Sequence, residues 1–254
     1  MQSDRITLCA CASRTFINKE KVAQLAALLA AAGKEVEIVP DLCEWIENKS
    51  DRLKEIATHT VVACHPRAIK ALFEWAEQPV PHTLDMRAND MPTLLTALGL
   101  PADSEIPAER IAVYRTQLEG LSRQPGQDAW FPTIDKSRCI DCGKCHDFCL
   151  FGVYALEEKK VVVKAPHNCK NNCPACARTC PTQAIIFPKY AQAPINGGEA
   201  SAEKTISIDT ATLYNTALRE RLAARRASVS LLKNRPKARH STTISLPSGA
   251  PCAP

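Results

Sequence analysis

Aromatic residues are scarce in this 254-residue sequence, at 5%. No apolar run reaches the roughly 18 residues that a membrane-spanning helix needs. The longest, residues 22–32, is shorter and is interrupted by Gln24. The opening MQSDR has no basic flank leading into an apolar stretch, so no secretory leader is expected there. Neither G-x-G-x-x-G nor a Walker A run occurs, and Gly197 and Gly198 form an isolated pair. The sequence therefore shows no flavin, nicotinamide or nucleotide site.

Cysteine abounds instead, with thirteen residues, and proline is plentiful. In a small secreted protein so many cysteines would predict a disulfide scaffold. Without a leader, the expected setting is a reducing cytoplasm, where clustered cysteines mean metal or redox chemistry. The formal charge of +5 is a local property. Eight basic residues and only Glu220 on the acidic side lie between Arg219 and Arg239, so this stretch carries +7 and the rest −2.

The strongest signal is CIDCGKCHDFC at 139–149, followed by CKNNCPACARTCP at 169–181. The spacings are C-x2-C-x2-C-x3-C and C-x3-C-x2-C-x3-C-P, offset by about thirty residues, which makes an internal repeat. A 4Fe–4S cube takes one thiolate at each of its four irons. Three closely spaced cysteines wrap one cube, and the fourth reaches the other. That logic assigns Cys139, Cys142, Cys145 and Cys180 to one cluster, and Cys169, Cys173, Cys176 and Cys149 to a second. Short strands are expected at 130–135 and 184–187, with a hairpin at 155–156 and 160–163. The pattern over residues 130–190 resembles the bacterial-type two-cluster ferredoxins. Two zinc sites or scattered buried thiols are the alternatives, but zinc sites use paired C-x2-C modules. Two departures stand out: Leu150 follows Cys149 where that family has proline, and Asn171 or Asn172 is an extra residue in the second run. The extra residue is expected to alter hydrogen bonding to the sulfurs and so the potential. His146 and His167 flank the runs and are not needed as ligands.

The first 121 residues read β-α-β-α-β-α, which predicts a parallel sheet. Strands are expected at 5–9, 35–39 and 60–63. Asn18 is the expected N-cap of a helix stopping at Gly33, a second helix is expected over 44–57, and Pro66 opens a third. Residues 91–121 read as two further helices, the second starting at Pro107. Cys9 and Cys11, Cys43, and Cys64 follow successive strand ends, which in a parallel sheet share one edge. Cys9 and Cys11, two apart in extended chain, should face the same way. Four cysteines gathered there suit a third iron–sulfur site; buried packing thiols and a thiol–disulfide relay are the other readings.

The segments LCACA at 8–12, DLC at 41–43, ACHPRAIKALF at 63–73 and TLDMRAN at 83–89 resemble the N-terminal domain of the flavin-bearing component of heterodisulfide reductase and its relatives. The resemblance implies an iron–sulfur site at Cys9, Cys11, Cys43 and Cys64, and a chain that passes electrons within a larger complex. Arg67 matches that family's arginine and is expected to be exposed and structural. Residues 91–121 are too short for the family's flavin domain. Flavin chemistry, including electron bifurcation, is thus expected on a partner chain.

A loop is expected beyond Pro188, then a strand over 205–209 and a basic helix over 210–232, with Tyr214, Leu218, Leu222, Val229 and Leu232 on one stripe. That helix either packs on its own domain or docks on an acidic partner; nucleic acid is disfavoured because no aromatics are interleaved with the arginines. Residues 233–254, with Cys252, are expected to be disordered.

These readings combine into an α/β fold. A small parallel sheet of three to four strands with helices spans 1–121, a linker spans 122–129, and an α+β two-cluster ferredoxin-like domain spans 130–190. A loop and helix span 191–232. The expected role is a cytoplasmic electron-transfer subunit with two 4Fe–4S clusters and a candidate third, no catalytic site of its own, and flavoprotein or disulfide-reductase-like partner subunits. The alternatives are a thiol-active enzyme using the N-terminal cysteines, or a redox-sensing scaffold.

Overall fold

Strand β1 (Arg5–Cys9) and strand β2 (Glu35–Val39) are joined by helix α1 (Lys19–Ala31). Asn18 caps α1 by accepting from the amides of Glu20 and Lys21, satisfying donors that the first turn leaves free. Gly33 ends it in the left-handed region at φ +76°, as its lack of Cβ permits. Val22, Leu25, Ala26 and Leu29 are fully buried beneath it.

The chain continues through α2 (Leu42–Glu47), α3 (Leu53–Ile56), β3 (Thr60–Ala63), α4 (Pro66–Trp75) and β4 (His82–Asp85). The sheet is wholly parallel in the order β2-β1-β3-β4. The central strands β1 and β3 are buried on both faces, and the buried Thr7 of β1 satisfies its hydroxyl against His59 Nδ1 at 2.8 Å. The edge strand β2 carries Glu35 and Glu37, and such charges discourage pairing with another edge. The helix expected over 44–57 is two short ones. Asp41 caps α2 and starts it early, and Lys49 at φ +48° breaks the path, with Ser50 N–H donating to the Trp45 carbonyl. Helices α5 (Met91–Ala97) and α6 (Ala108–Gly120) complete this part. Pro107 is the N-cap residue of α6.

The second part begins at β5 (Thr133–Ile134), followed by α7 (Lys144–Phe148) and the hairpin of β6 (Tyr154–Glu157) and β7 (Lys160–Val163). Glu158 and Lys159 both have positive φ, the requirement of a two-residue type I′ turn. A 3-10 turn at Pro166–Asn168, α8 (Ala175–Thr179) and β8 (Ile185–Ile186) follow, with β8 antiparallel to β5.

These elements come from a computed structural model that describes residues 4–121 and 128–199. The expectations for 205–254, including the basic helix and Cys252, lie outside the described residues, as does most of the 122–129 linker. All the described residues belong to one compact unit. It holds a large core around the parallel sheet and a smaller one around the hairpin. Several contacts join them. Trp75 Nε1 donates to the Val163 carbonyl at 3.0 Å, and Trp75 packs on Phe131. Arg67 pairs with Asp135 at 2.6 Å and donates to the carbonyls of Gln183 and Pro194. Arg67 is therefore half-buried where an exposed residue was expected: the first turn of α4 faces the ferredoxin-like part, a long-range contact that helical periodicity does not report.

Candidate iron–sulfur sites

The two cysteine runs fold alike. Cys142 and Cys173 each follow a residue in the left-handed region, Asp141 at φ +50° and Asn172 at φ +60°. Cys145 and Cys176 are each the second residue of a five-residue helix, α7 and α8. Three residues beyond Cys149 and Cys180, Gly152 and Gln183 are again left-handed. The extra residue is thus absorbed at Lys170–Asn171, ahead of the turn geometry that both runs share. It also makes contacts of its own. Arg14 donates to Asn172 Oδ1 at 2.8 Å and Asn171 Oδ1 at 3.2 Å, while its Nε reaches Asp128 at 2.7 Å.

Cys139, Cys142, Cys145 and Cys180 line one pocket with Ile140, Val161 and Ala184. In the other set, Cys149 and Cys173 both lie near enough to Cys169 and Cys176 to disfavour their thiolates. Burial, with these neighbours adding to it, pushes Cys169 and Cys176 up to about 12, and burial does the same to Cys145. Donors surround the sulfurs: Tyr154 O–H donates to Cys176 Sγ at 3.1 Å, and Ala184 N–H to Cys180 Sγ at 3.3 Å. The buried Trp130 Nε1 has no hydrogen-bond partner yet lies where it favours the Cys169 thiolate. An orphaned buried N–H facing sulfur is what a cluster would satisfy, since such donors tune bound sulfur. Among the described residues, no three His, Cys, Asp or Glu side chains converge as ligands of a single ion. A cube, with one thiolate on each of four irons, does not require that convergence. His146 pairs with Asp147 and His167 with Glu47, so neither joins the cysteines.

The N-terminal cysteines also come together. Cys9, Cys11, Cys43 and Cys64 line a single small pocket with Phe16, Asp41, Arg87 and Lys189. Cys11 arrives differently from the expected strand alternation. β1 ends at Cys9, and Cys11 sits at φ +47° in a turn closed by Arg14 N–H donating to its carbonyl. Cys43 lies in the first turn of α2, where Asp41 accepts from its amide at 3.1 Å. Burial pushes Cys9 up to about 11 and Cys11 to about 12, and raises Cys43 and Cys64 strongly.

Sequence reasoning missed Lys189. Its Nζ is 2.5 Å from Asp41 Oδ2 and 2.8 Å from Ser13 Oγ, with side chains 3% and 2% exposed for Lys189 and Asp41. Burial alone would lower its pKa, but Cys43 and Asp41 hold it above the usual value. The Asp41 cap was missed as well, though an aspartate just before the helix was the local signal for it; Lys189 had none, because its partner lies far away in the sequence.

Fold and cysteine geometry together define an iron–sulfur protein of the ferredoxin kind. The family model of a 4Fe–4S binding domain matches residues 131–154. A ferredoxin of Methanocaldococcus jannaschii is 52% identical over 61 residues, covering 24% of this chain and 42% of that relative, less than half its length. Ferredoxin-3 of Nostoc sp. is 36% identical over 22% of this chain and 79% of its own length. Another M. jannaschii ferredoxin is 40% identical over 21% and 87%. By this segment the chain belongs to the ferredoxins. The parallel-sheet part lies outside the family match.

Proposed function

We propose that the chain is an electron-relaying subunit of a cytoplasmic oxidoreductase complex. It passes single electrons through two 4Fe–4S clusters, held by Cys139, Cys142, Cys145 and Cys180 and by Cys149, Cys169, Cys173 and Cys176. A third cluster sits at Cys9, Cys11, Cys43 and Cys64. The observation that carries the reading is that those last four, far apart in sequence, line one pocket. A thiolate-ligated cube supplies one-electron transfer, its potential set by net charge, hydrogen bonds to sulfur and exposure. This chain's residues would hold it and donate to it. Trp130 packs between the regions: with Cys43 it lines a second small pocket, and it lies beside Cys169. This supports a relay in which the N-terminal site exchanges electrons with the second-run site.

Substrate chemistry belongs to partner chains, a flavoprotein or a disulfide-reductase-like protein. The likeness to the flavin-bearing component of heterodisulfide reductase over 8–89 supports this. A thiol-active enzyme fits less well. A reactive dithiol is accessible and has a depressed pKa, whereas Cys9, Cys11 and Cys43 are buried with raised ones. Anaerobic iron quantification with EPR separates the two. About twelve irons per chain, falling to about eight in Cys9→Ser/Cys11→Ser, supports three clusters. A variant that loses no iron removes the third.

A further inference from the structure

We infer that Lys189 is a counter-cation of the N-terminal cysteine site and helps set how readily that site accepts an electron. The inference rests on reading Cys9, Cys11, Cys43 and Cys64 as cluster ligands. It starts from where Lys189 comes from. After β8 the chain does not leave the molecule but returns across the parallel-sheet part as a strap. Arg87 donates to the carbonyls of Tyr190 and Ala191 at 3.4 and 3.2 Å. Gly197 lies so close to α4 that a Cβ would stand 2.8 Å from that of Ala68. At the strap's start, Pro188 and Lys189 form a wall of the cysteine pocket.

A buried ammonium needs a reason, since an unpaired one is strongly disfavoured. Asp41 supplies one partner and Ser13 a second. The same carboxylate caps α2 through the amides of Cys43 and Glu44, so the ion pair is fixed to the backbone that presents Cys43. Arg87 also lines the pocket and keeps its full charge while it donates to the strap carbonyls, so it is a second cation beside Lys189. Four thiolates around a cube carry net negative charge, and reduction adds one more. No bond forms or breaks and no proton need move; one electron enters from an external reductant. In a site screened from water, fixed charges act strongly. Lys189 favours the reduced state and Asp41 disfavours it.

The test uses the full chain, anaerobically reconstituted with iron and sulfide, and reduced with dithionite under EPR. The signal to follow is the one absent from Cys9→Ser/Cys11→Ser. Lys189→Met should lower its potential by about 59 mV, a tenfold change for a one-electron couple. Asp41→Asn, which keeps a good N-cap residue, should raise it. Iron loss from Lys189→Met alone also supports the proposal, because a counter-cation then proves necessary for loading. No shift in Lys189→Met, shifts of the same sign in both variants, or iron loss from both or from Asp41→Asn alone overturns it, since charge would not be what matters. A wild-type chain with only about eight irons instead removes the third cluster itself, and the proposal falls with it.

Discussion

In residues 139–180 each candidate ligand set is specified by spacing within short runs, braced by a two-stranded hairpin and two five-residue helices. In residues 9–64 the ligands come from three separate strand ends, and a large apolar core stands behind them. The first region has little core of its own, and Cys145 and Cys176 are themselves part of it. The second would keep its sheet without any metal. One ligand set is thus specified by local spacing, and the other by topology.

Removing iron should expose that contrast most strongly. On anaerobic chelation, residues 139–180 should lose amide-exchange protection while β1 and β3 keep theirs, because binding energy is folding energy only where the core is small. Equal loss in both regions would break the comparison. Next in size, Arg67→Ala should destabilise the chain by about 1.5–3 kcal/mol in urea unfolding, because it removes the close ion pair and leaves Asp135 only the longer 3.7 Å contact with Arg138. Burial works against the Asp135 charge, but Ser137 and Arg67 outweigh it and hold its pKa below the usual range. Its stabilisation is therefore present above about pH 4 and lost as pH falls through the depressed value; Arg67→Ala should shrink that acid-side loss.

Smaller effects sharpen the comparison. Tyr154→Phe should lower the potential of the second-run cluster by less than about 59 mV, since it removes one donor to Cys176, and leave the N-terminal signal in place. Iron loading should strengthen with pH at every site, because each thiol must lose a proton on binding. The dependence should be steep where burial has raised the thiols furthest, as at Cys43 and Cys64. Anaerobic iron titrations at about pH 6.5 and about pH 8.5 measure it.

The repeat in 139–180 was legible because cluster chemistry fixes spacing locally. The left-handed residues Asp141 and Asn172 explain why the extra residue leaves the pattern intact. The parallel sheet was legible from alternating strand and helix periodicity, and the convergence of Cys43 and Cys64 followed from their strand ends. The break at Lys49 was not, because a lysine at positive φ has no local signature. Nor were the Arg67–Asp135 and Lys189–Asp41 pairs: a charged residue in a polar-looking segment reads as solvated until its distant partner is known.

The strap also imposes a timetable. The last of the N-terminal cysteines, Cys64, is added to the chain well before Lys189 is made. At about 5–20 residues per second, the interval is roughly 6–25 s. Through that time the pocket lacks one wall, and Asp41 lacks its ion-pair partner. The N-terminal site is open while the chain is young and is closed by a segment made long after its cysteines.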